Sequence, residues 1–122
     1  MLTKFAVADE AAALTEFWSQ RVLATANGNL LKVAKGTRST NWHTHDDQDE
    51  TFLLLAGELT IQLRDGDVHL TPGDLLVIPR GVEHCPIADG EVLAMLIEPA
   101  GVVNTGGAGG PLTAVRDDSL LG

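Results

Sequence analysis

Residues 43–57 read HTHDDQDETFLLLAG, and this stretch decides the fold of the chain. His43 and His45 are two residues apart, so their side chains leave the same face if the segment is extended. Glu50 follows five residues after His45, directly before an apolar run that ends at Gly57. Two imidazoles with a carboxylate nearby can chelate one divalent ion. Taken alone, a His-x-His pair is weak evidence, because many such pairs are surface or core residues.

A second stretch, residues 73–84, reads GDLLVIPRGVEH. It begins with a turn at Gly73, continues as a short apolar strand, breaks at Pro79 and ends at His84. This histidine comes from a distant strand and could complete the metal-binding set. Three imidazoles and one carboxylate suit first-row divalent ions, and an octahedral ion would keep two positions open for other ligands.

Short strand patterns separated by turn signals fill the middle of the chain. Residues 59–63 alternate between apolar and polar, which predicts a half-buried strand. Asp65-Gly66 indicates a tight hairpin turn. We also predict a turn at Asp89-Gly90 that separates a strand over 84–87 from one over 92–97. Strands at this roughly ten-residue spacing indicate an all-β sandwich or barrel.

The N-terminal part predicts a helix followed by a hairpin. Asp9 to Trp18 is rich in alanine and has Asp9 as a candidate cap. The short apolar runs 21–26 and 30–34 flank Asn27-Gly28-Asn29, which predicts a β-hairpin. We expect three regions: an N-terminal helix or arm over 1–20, a barrel over 21–100, and a Gly-rich loop and tail over 101–122 that could include a strand around 112–115.

Composition and charge narrow the classes of function. The net charge of −9 and the pI of about 4.6 oppose binding to nucleic acid or to anionic membranes, so we expect neither partner. We find no apolar stretch long enough for a membrane span and no signal-peptide pattern. The single cysteine, Cys85, requires no oxidising compartment. We therefore expect a soluble cytoplasmic protein.

The spacing within both stretches resembles the two motifs of the cupin family. Residues 43–57 match the first motif in two histidines, a glutamate and the closing glycine, and residues 73–84 match the second in two glycines, a proline and a histidine. There are two departures. Gly36 stands one residue further from His43 than is usual, and Ala88 stands where the second motif often ends in asparagine. Neither position is a metal ligand in the family.

The resemblance implies a fold and a metal site. The fold is the cupin double-stranded β-helix, a jelly-roll barrel, here of the small single-domain bacterial type that is loosely grouped with mannose-6-phosphate isomerase-like proteins. The cofactor implied is one divalent transition metal ion, which could be Fe, Mn, Ni, Co, Cu or Zn. Its ligands would be His43, His45, Glu50 and His84. Fold resemblance does not by itself establish an activity.

Residues around this set have expected roles as well. Asn41 lies on the face of the histidines and could line the pocket or orient a ligand. Phe52 and Leu54 alternate with the glutamate and are expected to form an apolar pocket wall, which is compatible with a place in the core. His69 is expected to be exposed, and Cys85 to be a buried, unreactive thiol.

The favoured function is that of a metal-dependent enzyme acting on a small, weakly polar, oxygen-chelating substrate, with a dioxygenase-type reaction and Glu50 as the catalytic carboxylate. Alternatives are a metal-dependent isomerase or lyase, and a non-catalytic ligand-binding or sensor protein. The chain has no tyrosine, so cupin mechanisms that use a tyrosine acid or base are excluded. A homodimer is expected, because the edge strands of such barrels need covering.

Overall fold

The computed structural model describes residues 2–101, which form one short helix and seven β-strands. In chain order the elements are α1 (Val7–Ala12), β1 (Gln20–Ala26), β2 (Asn29–Ser39), β3 (Glu50–Ala56), β4 (Leu59–Leu63), β5 (Gly66–Leu70), β6 (Leu75–Ile78) and β7 (His84–Pro99). The all-β class with a short N-terminal helix is confirmed. The predicted tail, with its possible strand around 112–115, lies outside the described residues except for Gly101.

The long strand β7 connects the β4-β5 hairpin to the rest of the sheet. Residues 84–87 pair with β4, whereas residues 93–97 pair with both β2 and β3, in every case antiparallel. The main strand order is β1-β2-β7-β3-β6, and the β4-β5 hairpin joins it through β7. Because one strand contributes to both parts, the sheet folds over on itself and encloses an interior.

Aliphatic and aromatic side chains from six of the strands fill this interior. The buried core cluster consists of Ala34, Phe52, Leu54, Leu59, Ile61, Leu70, Ile78, Ala88, Val92 and Leu96. Burying one large side chain of this kind stabilises a fold by about 1.5–3 kcal/mol. The alternation predicted over 59–63 is confirmed, since Leu59 and Ile61 point inward and Thr60 and Gln62 do not.

Both predicted hairpins are present. Asn27 and Gly28 join β1 to β2 with φ of 51° and 81°, a left-handed conformation that favours these residue types. Strand β2 runs to Ser39, beyond the predicted end at 34, because it pairs with β7 along its length. The second turn lies one residue earlier than Asp65-Gly66, since Leu63 pairs with Gly66 across β4 and β5.

The predicted reversal at Asp89-Gly90 is wrong, because β7 is continuous from His84 to Pro99. On β2, Gly36 pairs with Val92 and Arg38 pairs with Ala88, so three residues of β7 lie opposite one residue of β2. The Asp-Gly pair therefore forms an exposed bulge in a strand that keeps its direction. Turn-forming residues serve a bulge as readily as a hairpin.

The predicted helix over Asp9 to Trp18 is too long, because α1 ends at Ala12 and its cap position is Ala6. Trp18 has a φ of 64° and is held against β2. Its backbone N–H donates to the Lys35 carbonyl oxygen at 2.6 Å, and its indole N–H donates to that of Thr37 at 2.6 Å. These contacts require the chain before Trp18 to leave the helix.

Replacing Gly36 with alanine is expected to displace Trp18 and to lower the free energy of unfolding by about 1–3 kcal/mol, as overpacking does. A Cβ at Gly36 would lie 2.5 Å from two atoms of the Trp18 ring. Urea denaturation and tryptophan fluorescence would measure the effect. Gly90→Ala is the matched control, because a Cβ there meets nothing within 4 Å. Equal stability of the two variants would contradict the packing role of Gly36.

Candidate metal centre

A backbone bridge brings His43 and His84 together. The N–H of His43 donates to the carbonyl oxygen of His84 at 3.0 Å, and the reverse bond measures 2.9 Å. The centroids of the two imidazoles are 4.4 Å apart. His45, two residues further along, adds a third ring whose centroid lies 5.4 Å from that of His43 and 6.0 Å from that of His84.

Glu50 completes the group from the first position of β3. Its Oε1 lies 2.9 Å from Nε2 of His84 and 3.6 Å from Nε2 of His45. One donor atom from each of the four residues lies within 4.8 Å of the others. His45, the most exposed of the four, is only 3% exposed. The structure thus gathers all four residues that the sequence indicated, and they could hold a metal ion.

Backbone carbonyl groups orient two of the histidines. The Nδ1 of His43 lies 2.7 Å from the carbonyl oxygen of Asn41, and the Nδ1 of His84 lies 2.9 Å from that of Val82. Because a carbonyl oxygen only accepts, we assign the proton of each neutral ring to Nδ1 and the lone pair to Nε2. Metal-binding histidines are commonly held in this way. Asn41 contacts the site through this carbonyl, while its side chain is exposed.

The atoms at the centre fit a cation. With these tautomers, Nε2 of His84 and Oε1 of Glu50 are two acceptors only 2.9 Å apart, an arrangement that is favourable when a proton or a metal ion is shared. The other oxygen of Glu50, Oε2, is buried and has no hydrogen-bond partner among residues 2–101. Buried carboxylate oxygens are rarely left in this state. A divalent ion would satisfy both observations.

Glu50 carries a negative charge at neutral pH despite its burial. Burial acts to raise the pKa of Glu50, but hydrogen bonds and charges from His45 and His84 in their protonated forms outweigh it and lower the pKa to about 2. A cation held between the neutral rings would act in the same direction. Carboxylates bind metal ions in the ionised form, so Glu50 is in the state that a ligand requires.

The predicted pocket residues Phe52 and Leu54 lie on the same inward face of β3 as Glu50. They are 0% and 1% exposed and belong to the buried core cluster. Their place in the core is compatible with a wall beside the metal site. Contact between either side chain and a bound ligand stays a prediction.

His69 and Cys85 lie outside the group of four. The His69 side chain is 54% exposed, and its Nε2 is 3.4 Å from a carboxylate oxygen of Glu58. Cys85 is buried, and its Sγ donates to the carbonyl oxygen of Thr40 at 3.4 Å. Burial raises the pKa of the Cys85 thiol, although the charge of Arg64 acts in the opposite direction.

Cys85 is accordingly expected to react with a disulfide reagent such as DTNB at least about tenfold more slowly in the native protein than in urea, because the thiolate is the reactive form and access is blocked. Absorbance at pH 8 would follow the reaction. Equal rates in both states would show that the thiol is accessible and would contradict its buried position.

Sequence reasoning missed three buried polar residues, which we call the Lys32 cluster: Lys32, Gln48 and Glu98. Lys32 Nζ forms an ion pair with Oε1 of Glu98, and Nε2 of Gln48 donates to Oε2 of Glu98 at 3.1 Å. Burial raises the pKa of Glu98, while the Lys32 charge opposes that shift. A signal was available, because Lys32 and Glu98 are opposite charges at positions of apolar strands that alternation turns inward.

Two cavities are formed by the described residues. A cavity of about 280 Å³ has Gln48 and Glu98 in its lining, together with Asp49 and Arg80. A larger one of about 490 Å³ lies over β4 and β5 and includes His69. None of the four candidate ligands lines either cavity, but the smaller one borders the Lys32 cluster through Gln48 and Glu98.

The fold and the site together place this chain in a class: small β-barrel proteins with three histidines and a glutamate gathered in the interior as a candidate metal site. The sequence comparison identifies the class, since the family profile Cupin_2, described as Cupin domain, matches residues 29–98. This match covers more than half of the chain. The chain therefore belongs to the cupin family, and the resemblance drawn from its two motifs is confirmed.

Solved structures and a curated relative agree with this assignment. A cupin-2 domain containing protein from Shewanella frigidimarina NCIMB 400 is 41% identical, with 75% of this chain and 89% of that chain covered and a TM-score of 0.72. Protein NMB1881 from Neisseria meningitidis is 23% identical, with 80% and 100% covered and a TM-score of 0.72, and this likeness shows the fold alone. The uncharacterized protein YdbB of Bacillus subtilis (strain 168) is 36% identical over 63 residues.

The match to YdbB covers 51% of this chain and 56% of that protein, so the chain spans about half the length of this curated relative.

Within residues 2–101, no helix is long and apolar enough to cross a membrane.

Proposed function

We propose that this chain is a metal-dependent enzyme that acts on a small molecule chelating the metal through oxygen. One observation supports this most directly: four donor atoms from three separate chain segments converge within 4.8 Å in the interior of the barrel, next to its apolar core. Gathering four polar side chains in such an interior costs free energy unless they bind something. The donor set suits Fe, Mn, Ni, Co, Cu or Zn.

Each residue of the site has a part in this proposal. His43, His45, Glu50 and His84 hold the ion, and the carbonyl groups bonded to His43 and His84 fix the orientation of those rings. The ion would supply Lewis-acid chemistry to a chelating oxygen ligand. Glu50 is also the nearest carboxylate to that ligand, and we propose it as the catalytic group. The core behind Glu50 excludes water from this side of the site.

Among the reactions open to such a site we favour a dioxygenase-type reaction. The absence of tyrosine from the sequence removes the acid or base that several isomerases and lyases of this fold use. A non-catalytic binding protein is the main alternative. The two differ in turnover, because a binding protein would hold the same small ligands without consuming them.

Metal analysis is the direct test of the proposed site. Purified untagged protein should contain close to one transition metal ion per chain by mass spectrometry, or should take one up after reconstitution. The iron-loaded protein should then consume oxygen with a catechol, diketone or enediol. Saturable binding without oxygen use or product would instead favour the binding protein. Protein that takes up no metal and shows no change in melting temperature would contradict the proposal.

We further propose a homodimer, formed through the outer face of the sheet next to β6. This edge strand exposes Leu75 and Val77 to 60% and 46%, and Leu53 pairs with both Leu75 and Met95 on the same face. A second copy would cover this apolar edge. Light scattering should give twice the chain mass of 12.9 kDa, and Leu75→Lys should give monomers. A wild-type monomer would contradict the proposal.

We place this assembly in the cytoplasm as part of the same proposal, because the only cysteine in the sequence is a buried free thiol. Fractionation of the native host, with immunodetection of the protein, would test the location.

A further inference from the structure

The Lys32 cluster lies directly beside Glu50. Thr51 pairs with Ile97 across β3 and β7, so Glu50 and Glu98 are the next residues along the two neighbouring strands. Both side chains point into the barrel, since they are 1% and 2% exposed. The carboxylate of Glu98 therefore belongs to the same interior space as the candidate metal ligands.

Gln48 faces this space from the preceding segment. It comes two residues before Glu50, and both are buried, whereas Asp49 between them is exposed and accepts a hydrogen bond from the backbone N–H of Arg80 at 2.9 Å. The amide Nε2 of Gln48 is used by Glu98, but its Oε1 is buried with no hydrogen-bond partner within the described range 2–101. A metal ion would satisfy the unpartnered carboxylate oxygen of Glu50. The amide oxygen of Gln48 would still need a hydrogen-bond donor, which a bound ligand could provide.

Stability alone does not explain these polar residues. Two charges taken out of water lose more in hydration than their attraction returns, unless their geometry is excellent. The position of Lys32 could be apolar, because its cross-strand partner on β7 is the core residue Leu96. A buried amide oxygen without a partner adds a further cost. Such an arrangement is typical of a site that a ligand completes.

The smaller cavity borders this cluster, and none of the four candidate metal ligands lines it. It measures about 280 Å³, and both Gln48 and Glu98 line it. Within the Lys32 cluster the hydrogen-bond acceptors are the amide oxygen of Gln48 and the carboxylate of Glu98, whereas Arg80 in the cavity lining is a donor.

We propose that Gln48 and Glu98 form the hydrogen-bonding half of the ligand site, beside the metal ion, and that the ligand is a small α-hydroxy acid or vicinal diol. This inference rests on the proposed function, because it takes the metal site as occupied in the working protein. The ligand oxygens bind the ion, and a hydroxyl hydrogen is donated to Oε1 of Gln48. Lys32 is a positioning residue that holds Glu98, which in turn holds the amide of Gln48.

The ligand class follows from the direction of the hydrogen bonds. A keto acid offers the metal the same two oxygens as the corresponding hydroxy acid but has no hydrogen to donate. It would leave Gln48 Oε1 unsatisfied, and sites built to pair a hydroxyl group reject analogues that lack it. Phe52 and Leu54 are expected to form an apolar wall of the ligand site. In this proposal Gln48 and Glu98 form a second, polar wall.

The test is a comparison of L- and D-lactate with pyruvate on the Ni²⁺-loaded protein by isothermal titration calorimetry. One lactate enantiomer is expected to bind at least about tenfold more tightly than pyruvate. Gln48→Met should reduce this ratio to within about threefold while the Ni²⁺ affinity stays unchanged, because the change keeps the volume and removes the acceptor. Gln62→Met, on β4, is the matched control and should keep the wild-type ratio.

The role of Lys32 is tested by the same ratio. Lys32→Met should reduce the lactate preference, and Lys32→Arg should keep most of it, which a purely structural role would not predict. If pyruvate binds the wild-type protein as well as both lactates do, or if Gln48→Met keeps the preference, the subsite is wrong and the metal site stands. If Ni²⁺ itself does not bind, the metal site and this subsite are both wrong. The comparison of lactate with pyruvate on the wild-type protein tests the proposal even if a variant fails to fold.

Discussion

Replacing His84 with alanine is expected to abolish stable metal binding and to raise the dissociation constant by at least about 100-fold, since losing even a hydrogen-bonding neighbour of a ligand commonly costs 10- to 100-fold. The substitution removes an imidazole whose Nε2 lies 2.9 Å from Oε1 of Glu50. The backbone bridge to His43 is available to alanine as well, so the expected loss comes from the side chain alone. Competition with a coloured chelator would measure the affinity for Ni²⁺ or Mn²⁺.

The control for this variant is His69→Ala, which removes an imidazole from the exposed face of β5. It should leave the affinity unchanged, because His69 is not among the four gathered residues. His45→Ala should behave like His84→Ala. A His84 variant that binds metal as tightly as the wild type would show that the ion lies elsewhere or that three ligands suffice. Circular dichroism of the metal-free variants would separate loss of a ligand from loss of the fold.

The candidate ligands could be predicted from the sequence because local geometry determines much of their arrangement. His43 and His45 share a face through the period of two in extended chain, and the glycines and proline of the second motif set where His84 begins its strand. The spacing of the motifs does not predict the backbone bridge between His43 and His84, because these residues are 41 positions apart in the sequence. For that step the family resemblance was needed.

Errors in the predicted fold arose where tertiary contacts override local preference. Ala11 to Leu14 favour a helix, yet the docking of Trp18 on β2 ends α1 at Ala12. Asp89-Gly90 favours a turn, yet pairing with β2 on both sides keeps β7 continuous. Both contacts join segments that are distant in sequence, and a local pattern carries no information about them.

The Lys32 cluster was missed for a related reason. Alternation turns Lys32 and Glu98 inward, but charged residues at such positions are usually exposed, so each residue taken singly is a weak signal. Their meaning depends on the register between β2 and β7, which aligns residue 32 with residue 96. Only the fold shows that the two charges meet inside the barrel next to Glu50.

The pair formed by Lys32 and Glu98 gives the second large expected effect. Lys32→Met should lower the free energy of unfolding by about 3–5 kcal/mol, because it leaves the Glu98 carboxylate buried without its cation. For a chain with a typical total stability of about 5–15 kcal/mol, this is a large fraction. Replacing both residues, as Lys32→Met with Glu98→Leu, should recover most of the loss, since apolar groups of similar volume substitute well for a buried pair. Urea denaturation of the metal-free protein would measure all variants.

Comparing the single and double variants separates the free-energy cost of an unpaired buried charge from the net contribution of the ion pair to stability. If the single and double variants are equally unstable, the loss comes from packing around residue 32 and the charge of Glu98 is not the cause. If Lys32→Met is as stable as the wild type, water must reach Glu98, and the cluster is not a dry network. The exposed pair of Arg64 and Glu83 is the control, and Arg64→Met should leave the urea midpoint nearly unchanged. A stable double variant would further allow the lactate comparison without the polar cluster, and there the preference for the hydroxyl group should be absent.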